Sequence, residues 1–132
     1  MNDYYNMLIS RWDAQSRINS IEFYKDVENY KLVLYHHPNM NRITLYLLNE
    51  ELSPIAGLTG DITEDGFQII ISVVHPDLRG QGLGQILYNN ALEIHKVVIS
   101  DFDISESAEQ LWKKLSTIHT VEKKGQKYIM TL

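Results

Sequence analysis

Cysteine is absent from the 132 residues. Disulfides, thiolate zinc sites, iron–sulfur clusters and cysteine nucleophiles are excluded together. Such a chain suits a reducing cytosol, so a cytoplasmic location is expected. Proline is scarce at 3 positions and glycine at 7, so the composition is neither fibrous nor that of a disordered linker. Basic residues are outnumbered: 12 Lys and Arg face 17 Asp and Glu, for a formal net charge of −5. General nucleic-acid binding needs surplus positive charge, so no nucleic-acid partner is expected. Long apolar runs are also missing. The densest stretch, Ile69-Ile70-Ile71-Ser72-Val73-Val74, falls far short of the roughly 20 residues that cross a bilayer. The start, Met1-Asn2-Asp3-Tyr4-Tyr5, lacks the basic and apolar regions of a signal peptide. No membrane partner is expected.

What remains is a globular composition, 44% hydrophobic, of a length that fits one domain, residues 1–132. Tyr4, Tyr5, Leu8, Ile9 and Trp12 form one stripe of an amphipathic helix. Ile21, Tyr24 and Val27, spaced by three, predict a second short helix over 18–27, which makes residues 1–30 helical. Residues 31–75 read as a strand meander: Leu32–Tyr35, Ile43–Leu48, Ile55–Thr59 and Phe67–His75, separated by turn residues. Pro76 ends the last ladder, having no N–H to donate. A loop and helix fill 76–95. Residues 96–132 give a short strand Val97–Ile99, a helix and a closing hairpin around Lys124-Gly125. The helix carries Ile104, Ala108, Leu111, Trp112, Leu115 and Ile118 on one face, with Asp103 and Glu106 as its capping box. The fold class is α/β: a mixed, mostly antiparallel sheet flanked by helices, with a central parallel β-α-β unit from Phe67 to Ile99.

The loop Arg79-Gly80-Gln81-Gly82-Leu83-Gly84 has the chemistry of an anion cradle. Alternating glycines let successive N–H groups turn into one concavity, and the helix that follows adds its positive end. Arg79 adds a forked, fixed charge suited to phosphate. The plain alternative is a Gly-rich turn with a solvated arginine. The loop is not a P-loop, because Gln85 and Ile86 stand where Lys and Ser or Thr are needed. Nor is it a dinucleotide fingerprint, because Gln85 stands where the third glycine is needed.

Val74-His75-Pro76-Asp77-Leu78-Arg79-Gly80-Gln81-Gly82-Leu83-Gly84 resembles the signature of the GNAT superfamily of N-acetyltransferases, a strand ending V-x-P followed by x-x-R-G-x-G-hydrophobic-G. The resemblance covers residues 43–132. It implies an acyltransferase that moves acetyl from acetyl-CoA, as co-substrate, to an amine on a small molecule or a protein, directly within a ternary complex. It implies that Arg79, Gly80, Gln81, Gly82, Leu83 and Gly84 bind the pyrophosphate. It further implies that the backbone of Ser72, Val73 and Val74 faces pantetheine and the thioester. Residues 99–115 also resemble small GNAT-like proteins frequent in bacteriophage genomes.

The chain departs from the family where a tyrosine usually supplies a proton. The pattern Asn-x-x-Ala-x-x-Leu-Tyr is matched by Ser105 through Trp112, with Ser105 for Asn and Trp112 for Tyr. An indole N–H cannot do that work, so Trp112 reads as a core residue. Ser105 either touches the cofactor or caps its helix. Tyr88 reads as a packing or solvent-facing residue, and Tyr128 is a weak alternative acid. For the base, Glu64 and Asp65 are candidates that also read as turn residues, and His75 is an imidazole beside the slot. The catalytic residues therefore stay unassigned. His36-His37 suggests metal, but neighbouring strand residues face opposite ways, so no metal site is expected. His95 and His119 read as helix-end residues. The runner-up function is a non-catalytic acetyl-CoA-binding or structural GNAT-like protein. A homodimer is compatible with either.

Overall fold

The computed structural model describes residues 3–15, 21–101 and 104–132. One helix, α1 (Asp3–Gln15), precedes five strands: β1 (Ile21–Val27), β2 (Tyr30–His36), β3 (Arg42–Leu48), β4 (Pro54–Thr63) and β5 (Gly66–Val74). Then follow α2 (Leu83–His95), β6 (Val97–Ile99), α3 (Glu106–Leu115), β7 (Thr120–Lys124) and β8 (Lys127–Thr131). The strands make one eight-stranded sheet in the order β1-β2-β3-β4-β5-β6-β8-β7. Every neighbouring pair is antiparallel except β5 and β6, which the crossover helix α2 makes parallel. The mixed α/β expectation holds.

The N-terminal expectation needs correction. Residues 21–27 are not helical; they form strand β1, and the helical part of 1–30 is α1. Residues 18–20 of that expected helix lie outside the described residues. A β-bulge explains the misleading period. Phe23 pairs with Val33 and Lys25 with Leu32, so Tyr24 is an extra residue. Tyr24 and Val27 then share the α2 side of the sheet, while Ile21 packs on the α1 side. One bulge inside a two-residue alternation thus mimics a spacing of three.

Other boundaries shift for plain reasons. Pro54 opens β4, a position where its missing N–H is tolerated. Helix α3 is capped by Ser105, whose Oγ accepts from the Ala108 N–H at 3.2 Å. The expected cap, Asp103, lies outside the described residues. Helix α3 stops at Leu115, so Ile118 leaves the apolar face and is exposed.

Two apolar layers sandwich the sheet. Leu32, Leu45, Leu58 and Phe67 meet Leu87, Leu92, Trp112 and Leu115 of α2 and α3. Val33, Tyr46 and Val73 meet Leu8 of α1, with Tyr5 and Trp12 packed beside it. Fully burying each such side chain stabilises by about 1.5–3 kcal/mol. Gly57 allows the close approach of α1, because a Cβ there would run into the Leu8 side chain.

Candidate active site

The site begins where the sheet comes apart. β5 and β6 pair only through Phe67 with Val98 and Gln68 with Ile99. Gln68 closes that junction with its side chain. Its Nε2 donates to the Ser100 carbonyl at 2.8 Å, and its Oε1 accepts from Lys127 Nζ at 2.9 Å. Beyond Ile99 the chain stays with β8: the Ser100 N–H donates to the Tyr128 carbonyl, and the Tyr128 N–H donates to Ser100 Oγ. β5 meanwhile follows β4, so the two strands diverge and the β5 edge facing β6 loses its partner after Gln68.

A bulge sharpens the divergence. Thr59 pairs with Ile71 and Gly60 with Ile69, leaving Ile70 unpaired. Phe67 and Ile69 therefore face α2, whereas Ile71 and Val73 face α1. Ser72 and Val74 are turned back toward α2 and α3. A cavity of about 840 Å³ fills the gap, walled by the free half of β5, the loop after it, the start of α2, and α3.

The loop forms the mouth. Pro76–Leu78 make a single 3-10 turn, capped by His75, whose Nδ1 accepts from the Asp77 N–H at 3.0 Å. Gly80 and Gly82 then take φ of 80° and 82°, the left-handed region that side chains resist. Gly82 is the N-cap of α2 and supplies no side-chain partner. The first N–H groups of a helix have no intrahelical acceptor, so this end offers donors and positive potential to the cavity mouth. Gly84 lets α2 approach α3, its Cβ position being 3.2 Å from Leu111. Arg79 is exposed at the same mouth and pairs with no carboxylate among the described residues.

Most expected binding residues converge. Ser72, Val73, Val74, Arg79, Gly80, Gly82, Leu83, Gly84 and Ser105 all border the cavity. Gln81 does not; it is exposed. The expected catalytic residues mostly scatter. Glu64 and Asp65 sit exposed in the β4–β5 turn, about 25 Å of strand away from the loop. His75 borders no part of the cavity and packs its ring edge-on to Tyr5 at 4.5 Å. Ser105 is both cap and wall.

Trp112 is 1% exposed and stacks on Tyr128 at 5.5 Å, so the core reading fits it. Tyr128 does not border the cavity, and its hydroxyl donates to Glu109. Tyr88 is the residue that the sequence undervalued. Its ring is buried edge-on to Trp112 at 5.5 Å, as a packing residue would be. The residue nevertheless borders the cavity, and its hydroxyl lies 3.4 Å from the Oγ of Ser72, another lining residue. Burial pushes this phenol above its ordinary pKa, the nearby Asp101 adds in the same direction, and the Ser72 hydrogen bond opposes both. The available signal was the four-residue step from Gly84 to Tyr88 along one helix face.

The opposite face of β5 is closed. Under α1 the space left beside Ile71 and Val73 is about 10 Å³. A polar row crosses the sheet there: His37 Nε2 bonds Thr44 Oγ1 at 2.8 Å, and Thr44 Oγ1 bonds Thr59 Oγ1 at 2.8 Å. Burial, then the positive Arg42 and Arg11, lower the His37 pKa. His36 faces the other way, toward Glu22. Among the described residues no group of three or more His, Asp or Glu is arranged to hold a metal ion. No helix of the described residues is long and apolar enough to cross a membrane.

Comparison with known proteins agrees with this architecture. Residues 4–103 match the model of the acetyltransferase (GNAT) family. The chain belongs to that family. A GNAT-family acetyltransferase from Staphylococcus aureus Mu50 superposes with a TM-score of 0.55 at 12% identity, covering 100% of this chain and 96% of that one. A protein from Bacteroides thetaiotaomicron, described as a GNAT-family acetyltransferase, superposes at 0.54 with 15% identity, over 96% of this chain and 79% of that one. Both likenesses are of fold. A comparison with curated protein sequences finds no match. Family membership supports acyl transfer from an acyl-CoA donor to an acceptor.

Proposed function

We propose that the protein transfers acetyl from acetyl-CoA to an amine, by direct attack within a ternary complex. One observation carries this reading. The unpaired edge of β5 runs without interruption into a loop with two left-handed glycines, and both border one cavity. A long, thin ligand with an amide-rich arm and a pyrophosphate at its end suits that shape. Its amides would complete the ladder that β5 leaves open, and its phosphates would meet the loop N–H groups, the α2 N-terminus and Arg79. A β5 amide near Val74 would polarise the thioester carbonyl.

In the transfer, the neutral amine nitrogen bonds to the acetyl carbon and the carbon–sulfur bond breaks. A lysine-type amine, with a pKa near ~10.4, must first lose its proton. With no cysteine in the chain, no acetyl-cysteine is formed. The same reading includes a cytoplasmic setting. The acceptor class and a homodimer belong to it as open variables, read by an amine panel and by sedimentation.

A second reading, a non-catalytic acetyl-CoA-binding protein, is favoured by Trp112 at the tyrosine position. Calorimetry with acetyl-CoA tests what the two share: binding at micromolar to millimolar concentration is expected, and none at millimolar concentration would end both. A thiol-release assay over polyamines, aminoglycosides and lysine peptides separates them, since only the enzyme liberates CoA in step with acetylated product.

A further inference from the structure

The missing tyrosine on α3 leaves the departing sulfur without its usual proton source. The geometry points to Tyr88, on α2, as the group that supplies it, held in place by Ser72 and Trp112. This inference rests on the acetyl-transfer reading above.

Three observations converge. Tyr88 is the only tyrosine, and no histidine is found, among the described residues that border the cavity. Its hydroxyl meets Ser72 Oγ on the stretch of β5 that has no partner on its β6 side. The Ile70 bulge is what turns Ser72 to that side. The ring itself cannot wander. It is 2% exposed and abuts the Trp112 indole edge-on. Trp112 thus occupies the α3 position of the absent acid and buttresses its replacement on α2. The other tyrosines with described hydroxyl contacts are committed elsewhere: Tyr5 to the Pro54 carbonyl, Tyr24 to Glu93, Tyr46 to Gln15 and Tyr128 to Glu109.

Starting from the neutral amine, which has already given its ammonium proton to solvent, the transfer balances without a further acid or base. The carbon–nitrogen bond forms, the carbon–sulfur bond breaks, and the sulfur takes the Tyr88 proton. The proton shed by the acylated nitrogen restores the phenol, with Ser72 as the neighbouring hydroxyl. The net change moves one amine proton to CoA. A phenol kept protonated by burial stands in donor form at neutral pH, and Asp101 is the charged group whose field acts on it in the same sense. A thiolate is a strong acceptor for that O–H.

The test compares wild type with Tyr88→Phe, which keeps the ring, and with Ser72→Ala as a second variant. Affinities for CoA and for desulfo-CoA are measured by calorimetry from pH 7 to 9.5. In wild type the preference for CoA should grow about tenfold as the thiol ionises, because Tyr88 donates to the thiolate. Tyr88→Phe should remove that growth while binding acetyl-CoA within about twofold of wild type. With any amine that wild type acetylates, kcat should fall about 100-fold at unchanged KM, within the ordinary range for a lost general acid. Ser72→Ala should show a smaller loss of the same kind. Unaltered thiol ionisation in Tyr88→Phe overturns the assignment while leaving the cofactor reading intact. Failure of wild type to bind acetyl-CoA overturns both. Should Tyr88→Phe melt early, an unchanged CoA preference in Ser72→Ala overturns the assignment by itself.

Discussion

The two edges of β5 are treated in opposite ways. Toward β4 the strand is paired from Gly66 to Val74, with one bulge. Toward β6 the ladder stops after Gln68. An unpaired strand edge inside a protein is costly, since each buried orphan N–H or C=O loses a hydrogen bond. Here the edge faces a cavity, where a ligand or water can satisfy it. The contrast teaches that the site is an interruption of secondary structure, held open by pairing on all sides of it. Gln68 and the β6–β8 ladder hold one end, and the Gly loop with α2 holds the other.

The comparison can be broken at its open end first. Gly82→Val should cut acetyl-CoA affinity roughly 100-fold, since a β-branched residue at φ 82° strains the loop by an amount on the order of 1–3 kcal/mol and crowds its mouth. No neighbour lies within 4 Å of the Cβ position, so the melting temperature should fall only by the several degrees that this backbone strain costs. Calorimetry beside a thermal melt checks both. At the closed end, Gln68→Ala should lower folding stability by about 1–2 kcal/mol in urea titrations, because the Ser100 carbonyl loses its donor and Lys127 Nζ loses the Gln68 acceptor. Cofactor affinity should then fall only modestly. Arg79→Ala should weaken acetyl-CoA binding about fivefold to tenfold and flatten its salt dependence, as expected when a phosphate loses one charge-assisted donor.

The smallest effect is a pH slope at the paired end. His95 stacks flat on Phe67 at 4.2 Å, and burial, with a lesser push from His36, lowers its pKa to about 4. The unfolded imidazole, near 6.5, takes up a proton that the folded one refuses. Its stabilising contribution is therefore complete above pH 6.5 and is lost as pH falls toward 4. The ring is half-buried, so solvent screening holds this to about 1 kcal/mol or less. His95→Phe, which keeps the stack, should flatten the difference between melts at pH 7 and pH 4.5. Burial here outweighs the favourable helix-end position that the sequence suggested for a charged His95.

What could be read beforehand follows the same division. The loop was legible because its requirements sit in consecutive residues: a proline to end the ladder, glycines for left-handed backbone, and an arginine for charge. The strands from Leu32 to the Gly loop, and their antiparallel meander, were legible from alternation and turn residues. The bulges at Tyr24 and Ile70 were not. Each adds one residue to a two-residue period, turning β1 into an apparent helix and hiding which isoleucine of Ile69-Ile70-Ile71 faces which side. Tyr88 was hidden for the same reason, because its hydroxyl matters only once the Ile70 bulge has turned Ser72 toward it. Glu64 and Asp65 were attractive as carboxylates near the loop strand in sequence, yet a strand's length separates its two ends.

The central claim is that the gap between β5 and β6 is the acetyl-CoA slot. Amide chemical-shift mapping with acetyl-CoA tests it most directly. Saturable shifts should concentrate at residues 72–74, 79–84 and 105, with little change at Glu64, Asp65 or along α1. Shifts centred on α1, or none at millimolar acetyl-CoA, would contradict it.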